Sequence, residues 1–186
     1  PARLRQIYAS RGITHVDELN RSASSLLAPQ GLKDLPQALA LLTEALQQQQ
    51  RIIIVGDFDC DGATSTALMT LALRAMGAQN VAYLVPNRFE YGYGLSPEIA
   101  MLAAQQNAEL LITVDNGISS LAGVETARQQ GMKVLITDHH LPGLELPQAD
   151  AIVNPNQQGC GFGSGNLAGV GVAFYLMAAL KSHLQQ

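Results

Sequence analysis

From Arg51 onward the sequence switches repeatedly between short aliphatic runs and longer segments of helical character, and this alternation restricts the fold more than any other feature. The runs at 52–55, 81–85, 110–114, 134–137 and 151–153 are short and apolar on consecutive positions, as strands covered on both faces must be. Between them lie helical segments at 63–76, 97–106 and 118–130, and a last apolar helix runs from about 167 to 184. Such alternation predicts an α/β domain with a Rossmann-like, mostly parallel five-stranded sheet and helices on both faces. Gly77 and Gly131 fall where helix C-caps are expected, and Ser96-Pro97 combines an N-cap with a first-turn proline. The glycine-rich stretch 157–166 reads as a flexible connection before the last helix.

Residues 1–50 carry several short helical patterns and read as a helical segment packed on the core formed by 51–186. The clearest pattern begins at Asp34 as an N-cap, with Pro36 in the first turn followed by Ala38, Leu39, Leu41, Leu42 and Leu46, and it ends in the polar run 47–50.

A chain of 186 residues that is 47% hydrophobic and 14% charged supports one domain with a substantial core and excludes disorder. No apolar run approaches the ~18–20 residues of a membrane span, and the first residues lack the plan of a signal peptide. The expectation is a cytoplasmic protein away from membranes. Two cysteines, Cys60 and Cys160, are too few for a disulfide framework, which suits a reducing compartment. The formal net charge of -4 opposes phosphate binding unless several acids are committed to metal ions.

The acids fall at predicted strand ends. Asp57, Asp59 and Asp61 follow the first strand, Asp115 ends the third, and Asp138, His139 and His140 end the fourth. In open α/β sheets these carboxyl ends border the ligand crevice, so residues distant in sequence converge there. Gathering carboxylates without cations costs several kcal/mol of repulsion and raises their pKa values. Oxygen ligands with an imidazole suit manganese or magnesium. Two such ions sharing a carboxylate can activate water against phosphorus and stabilise the leaving oxygen, which is phosphoesterase chemistry.

Taken alone, Asp57-Phe58-Asp59-Cys60-Asp61-Gly62 also matches the opening of an EF-hand loop. The position that needs a bidentate glutamate is Leu68, and a strand stands where the entering helix should be, so that reading fails. Adjacent residues at a strand end point apart, so of His139 and His140 one is expected on metal and the other toward substrate, with Asp138 orienting an imidazole. His15 and His183 have no acidic company in this pattern and read as surface or helix residues.

The ordered set Val55-Gly56-Asp57-Phe58-Asp59-Cys60-Asp61-Gly62, Val114-Asp115-Asn116-Gly117 and Thr137-Asp138-His139-His140 resembles the first three motifs of the DHH phosphoesterases. Within them, the segments 86–95 and 167–174 resemble the bacterial exonuclease branch. The resemblance implies Asp57, Asp59, Asp61, Asp115 and His139 as metal-site residues holding two divalent ions, Mn2+ or Mg2+, with Asp115 as the bridge. It places His140 near the scissile phosphate, so that Asp115 and His140 are the catalytic pair. Arg88 and Tyr93 become substrate contacts, one through paired donors to phosphate and one through a ring that can stack.

The implied activity is digestion of single-stranded DNA from the five-prime end, in DNA repair and recombination, by a monomer working beside repair proteins. Many members carry a histidine ligand where this chain has Val55, which leaves the division of ligands between the metals open. Members also carry a further aspartate and a second catalytic domain downstream, unmatched up to Gln186. The expectation is therefore an incomplete catalytic core with weak metal retention and little activity by itself. Related chemistry on short oligonucleotides, cyclic dinucleotides or pyrophosphate, and a non-catalytic replication partner of the same fold, are the alternatives.

Overall fold

The computed structural model describes residues 1–20 and 22–185, and the side chains of Ala23 and Arg88 lie outside the description. Helix α1 (Ala2–Ser10) and three short 3-10 turns lead to α2 (Leu35–Gln48). Then follow β1 (Ile52–Val55), α3 (Cys60–Ala75), β2 (Val81–Leu84), the short α4 (Arg88–Tyr91), α5 (Pro97–Gln105) and β3 (Leu110–Val114). The order ends with α6 (Leu121–Gln129), β4 (Lys133–Thr137), β5 (Ala151–Val153) and α7 (Gly169–His183).

The five strands form one sheet in the order β2-β1-β3-β4-β5, and every neighbouring pair is parallel. The sheet expected to be mostly parallel is wholly so among the described strands. Pleating sends Ile52 and Ile54 of β1 to one face and Ile53 and Val55 to the other. The first face is covered by α2, α3 and α7, and the second by α5 and α6. Burial on both sides explains why the strands are apolar at every position, each large side chain contributing about 1.5–3 kcal/mol.

Helix α2 buries Leu35, Ala38, Leu42, Ala45 and Leu46 against α7 and β5, whereas α1 buries none of its side chains. Asp34 differs from its expected role as an N-cap. It adopts a left-handed conformation (φ 57°) and makes no side-chain cap; its Oδ2 instead accepts the Ile152 N–H at 3.3 Å, fastening the N-terminal segment to the edge strand β5. The polar run after α2 is a true helix end: Gln49 is left-handed (φ 52°), and its Nε2 donates to the carbonyls of Leu46 and Gly77.

One helix boundary moves and one short helix is new, both next to the site. Helix α3 begins at Cys60, ahead of the predicted 63, because the Asp59 side chain caps it by accepting the Gly62 N–H at 2.8 Å. Helix α4 was not foreseen, being shorter than the period that would reveal it; Asn87 Oδ1 accepts the Phe89 N–H at its start. No described helix is long and apolar enough to cross a membrane.

Candidate metal centre

Strands β1 and β3 are neighbours in the sheet without being consecutive in the chain. After β1 the chain turns to α3 on one face; after β3 it turns to α6 on the other. The connections diverge and leave a crevice beyond the carboxyl ends, which is where an open α/β sheet binds its ligand.

The turn after β1 supplies Asp57, Asp59 and Asp61. Asp57 is buried, and its Oδ1 accepts the N–H of Phe58 at 2.8 Å. Gly62 packs so tightly on it that a Cβ there would lie 2.5 Å from Asp57 Cβ and 2.7 Å from its Cα. Asp59 is exposed at the head of α3. Asp61 reaches across to α7, accepting the N–H of Gly169 at 2.7 Å and of Val170 at 2.8 Å.

Asp115 follows β3 in a left-handed conformation (φ 61°), with only 2% of its surface exposed. L-residues adopt that region at a cost of roughly 1–2 kcal/mol, and aspartate is among the few that visit it routinely. Beside it Asn116, fully buried, donates from Nδ2 to the carbonyls of Val55 and Val114, tying the ends of β1 and β3 together. The Tyr93 hydroxyl donates to the Asp115 carbonyl at 3.0 Å.

At the end of β4, Asp138 is 1% exposed and accepts N–H groups from Ile118, His139 and His140. Its Oδ1 also lies 2.7 Å from His140 Nδ1. The two imidazoles diverge, their planes 55° apart. His139 Nε2 lies 3.0 Å from Asp115 Oδ1 and 3.6 Å from Asp61 Oδ2, while His140 is half-exposed beside Tyr93, whose hydroxyl lies 3.4 Å from Nε2.

Two further residues escaped the sequence reading. Asn154 and Asn156 donate from Nδ2 to the carbonyls of His140 and His139, holding the histidine turn from β5. The polar Asn154-Pro155-Asn156 step directly after a buried strand was the available signal. His15, read as a surface residue without acidic company, is exposed but pairs with Asp17 at 3.1 Å. Arg88 begins α4, and its side chain is outside the described ones.

The electrostatics reflect crowded acids. Burial, followed by the Asp61 and Asp59 carboxylates, pushes the Asp115 carboxyl up to about 7. Burial would lower the His140 imidazole, but its hydrogen bond and attraction to Asp138, with Asp115 and Asp57 nearby, carry it above its usual value. Burial and the Asp138, Asp57 and Asp115 charges raise the Tyr93 phenol, which stays a hydrogen-bond donor at neutral pH.

The donor set suits divalent cations. One candidate group is Asp57, Asp59 and Asp115 and another is Asp115, His139 and His140; within each group, ligand atoms lie within 4.8 Å of one another. Asp115 belongs to both. Its Oδ1 is buried, and the polar atom facing it is His139 Nε2 at 3.0 Å, itself a candidate ligand, so the two atoms converge as donors around a cation do. Carboxylates with one imidazole match Mn2+ or Mg2+.

Fold and site together define a doubly wound α/β domain with carboxylates and histidines suited to a metal gathered at its switch point. The DHH family, N-terminal domain, matches residues 51–186, and the chain belongs to that family. It is similar to the single-stranded-DNA-specific exonuclease RecJ of Dickeya dadantii, at 58% identity over 186 residues, and of Escherichia coli K12, at 57% over 185. Each of these alignments covers 100% of this chain and 32% of the relative, so the chain spans about a third of the length of the curated relatives it matches. Among solved structures, RecJ from Thermus thermophilus in complex with Mn2+ superposes with a TM-score of 0.77 at 34% identity, covering 96% of this chain and 24% of that one. An exonuclease RecJ bound to manganese gives a TM-score of 0.72 at 39% identity, covering 82% of this chain and 38% of its own.

Proposed function

We propose that this chain carries the metal-binding part of the active site of an exonuclease that hydrolyses single-stranded DNA from the five-prime end. The observation that carries the reading is Asp115: buried, held left-handed, 3.0 Å from His139 Nε2 and common to both groups of possible ligands. The similarity to RecJ exonucleases supports the substrate class.

In this reading Asp57, Asp59, Asp61, Asp115 and His139 would hold two divalent cations, Mn2+ or Mg2+, with Asp115 as the ligand common to both. Bound there, the cations would supply Lewis acidity and neutralise charge on a phosphodiester. Asp138 keeps a proton on His140 Nδ1 through the 2.7 Å contact and fixes the ring, leaving the half-exposed imidazole able to donate to a phosphate oxygen or a leaving group. Tyr93 holds the Asp115 backbone by its hydroxyl and offers an exposed ring to a base or sugar. Arg88, at the start of α4, is the further phosphate contact that the resemblance implies. A cytoplasmic monomer acting beside DNA-repair proteins completes the proposal.

Mn2+-dependent release of nucleotides from five-prime single strands by the full-length protein tests the reading, with double-stranded DNA, short oligonucleotides, cyclic dinucleotides and pyrophosphate as competing substrates. Asp115→Ala is expected to lower kcat at least about 1,000-fold, since it removes the shared ligand. Undiminished digestion by that variant, with contaminating nuclease excluded, would overturn the assignment.

A further inference from the structure

The glycine-rich stretch between β5 and α7, expected as a flexible connection, is fastened along its length. Its start turns back on β5, where the buried Gln157 donates from Nε2 to the Ile152 carbonyl at 2.6 Å. Its middle meets the N-terminal segment: the Gly161 N–H donates to the Gly31 carbonyl at 3.0 Å, and Lys33 Nζ donates to the Gln158 carbonyl at 3.2 Å. A Cβ on Gly31 would lie 2.6 Å from the Gly161 carbonyl oxygen, so the two backbones meet with no room for a side chain. Phe162 is buried edge-on against Tyr175 of α7, their ring centroids 4.9 Å apart.

One side chain joins this stretch to the histidines. Asn156 Nδ2 donates to the carbonyl of His139 and, at 3.3 Å, to that of Gly165. The Asn156 amide is itself held by Asn154 Oδ1 at 2.8 Å, and the fully buried Asn154 donates to the His140 carbonyl at 2.9 Å. Gly165 fits Asn156 closely: a Cβ there would lie 2.5 Å from Asn156 Oδ1. Gly165 is not a positive-φ residue, so glycine is required by space rather than by backbone conformation. A carboxamide nitrogen suits the link because it carries two donors, whereas a hydroxyl has one and a carboxylate none.

We propose that the stretch 157–166 belongs to the scaffold of the metal centre and that Asn156 is the positioning residue through which it acts. The carboxamide clamps the His139 backbone to Gly165, so that seating the stretch and aiming the His139 imidazole at Asp115 are one event. The inference rests on the reading of His139 as a metal ligand.

The test uses the full-length protein with Asn156→Ala, Gly165→Ala and the double variant. His139→Ala is the reference for a lost ligand, and Leu42→Ala, at a fully buried position in α2, for a fold weakened elsewhere. Alanine at 156 removes both donated bonds without adding charge beside the cations. Folding is checked by circular dichroism, and Mn2+ binding without DNA is titrated with the spin resonance of free Mn2+ as readout. Amide hydrogen exchange in EDTA, followed by mass spectrometry, reads the tie with no metal present. Asn156→Ala is expected to bind Mn2+ about tenfold more weakly, with little change in KM for single-stranded DNA. Its exchange should quicken in 138–141 and 161–168 together. Gly165→Ala, by displacing the carboxamide, should reproduce both effects, and the double variant should be little worse than either single one, because both act through one contact.

Wild-type Mn2+ affinity in Asn156→Ala would overturn the proposal. So would faster exchange in 161–168 with 138–141 unchanged, losses that multiply in the double variant, or equally weakened binding in Leu42→Ala. If Gly165→Ala does not fold, the affinity and exchange of Asn156→Ala decide alone. Wild-type Mn2+ binding by His139→Ala would instead remove the ligand reading, and the exchange in EDTA would still decide whether Asn156 ties the stretch to the histidine turn.

Discussion

At the residue scale, Asp115 holds the largest share of the chemistry. Burial and the neighbouring Asp61 and Asp59 carboxylates disfavour a bare carboxylate there, and a cation would offset both. The pH dependence follows from the sign of the shift. The unfolded chain gives up this proton near 3.8 and the folded chain near about 7, so in metal-free protein stability falls as pH rises through that interval and is not regained above it. Asp115→Asn keeps the shape and the tolerance for a left-handed backbone but carries no charge. In EDTA at pH 8 this variant of the 186-residue chain is expected to melt several degrees above wild type, with the difference vanishing near pH 4. Thermal melts by circular dichroism at both pH values check this; an unchanged or lower melting temperature at pH 8 would count against an uncompensated acid.

At the scale of elements, the site is made by junctions, each a strand end meeting a helix start at very close range. The Asp57–Gly62 contact is one such junction. A methyl group at position 62 would strike backbone atoms of Asp57, which cannot rotate away as a side chain could. Gly62→Ala is therefore expected to cost about 1–3 kcal/mol and to weaken Mn2+ binding by the folded protein at least tenfold. Leu42→Ala in α2 is the contrasting case. It empties a fully buried position far along the chain from the strand ends and is expected to cost about 2–5 kcal/mol while leaving the metal affinity of folded molecules unchanged. Urea unfolding paired with Mn2+ titration separates the two; equal effects on affinity would show that the centre is not built by local junctions.

For the whole molecule, an excess of acid becomes useful only when cations are bound. The net charge of -4 opposes DNA, and the acids that contribute most to the crevice are those a metal would neutralise. Metal binding and folding should then be linked. Mn2+ at about 100 times its Kd adds roughly 2.7 kcal/mol, or about 5–10 °C in Tm for a chain of this size. Because the cation competes with a proton on Asp115, this gain should grow between pH 6 and pH 8. Scanning calorimetry with and without Mn2+ gives the answer, and a gain independent of pH would place the linked proton elsewhere.

Local pattern by itself determined the α/β class, the sequence positions of the five strands and the identity of the acids and histidines at their ends. Burial on both faces writes a strand such as Ile52–Val55 directly into consecutive apolar residues, and chemistry confined to strand ends leaves charges where the apolar run stops. Only the tertiary structure decided which acids face one another. It turned Asp34 from a helix cap into a fastener for β5, gave Asp61 to the amides of α7, and brought Asn154 and Asn156 under the histidine turn. These are contacts between residues 14 to 118 positions apart, set by strand order and helix packing. A hydrogen-bonding side chain looks the same in sequence whether its partner is a metal, a neighbouring amide or a helix on the far side of the sheet.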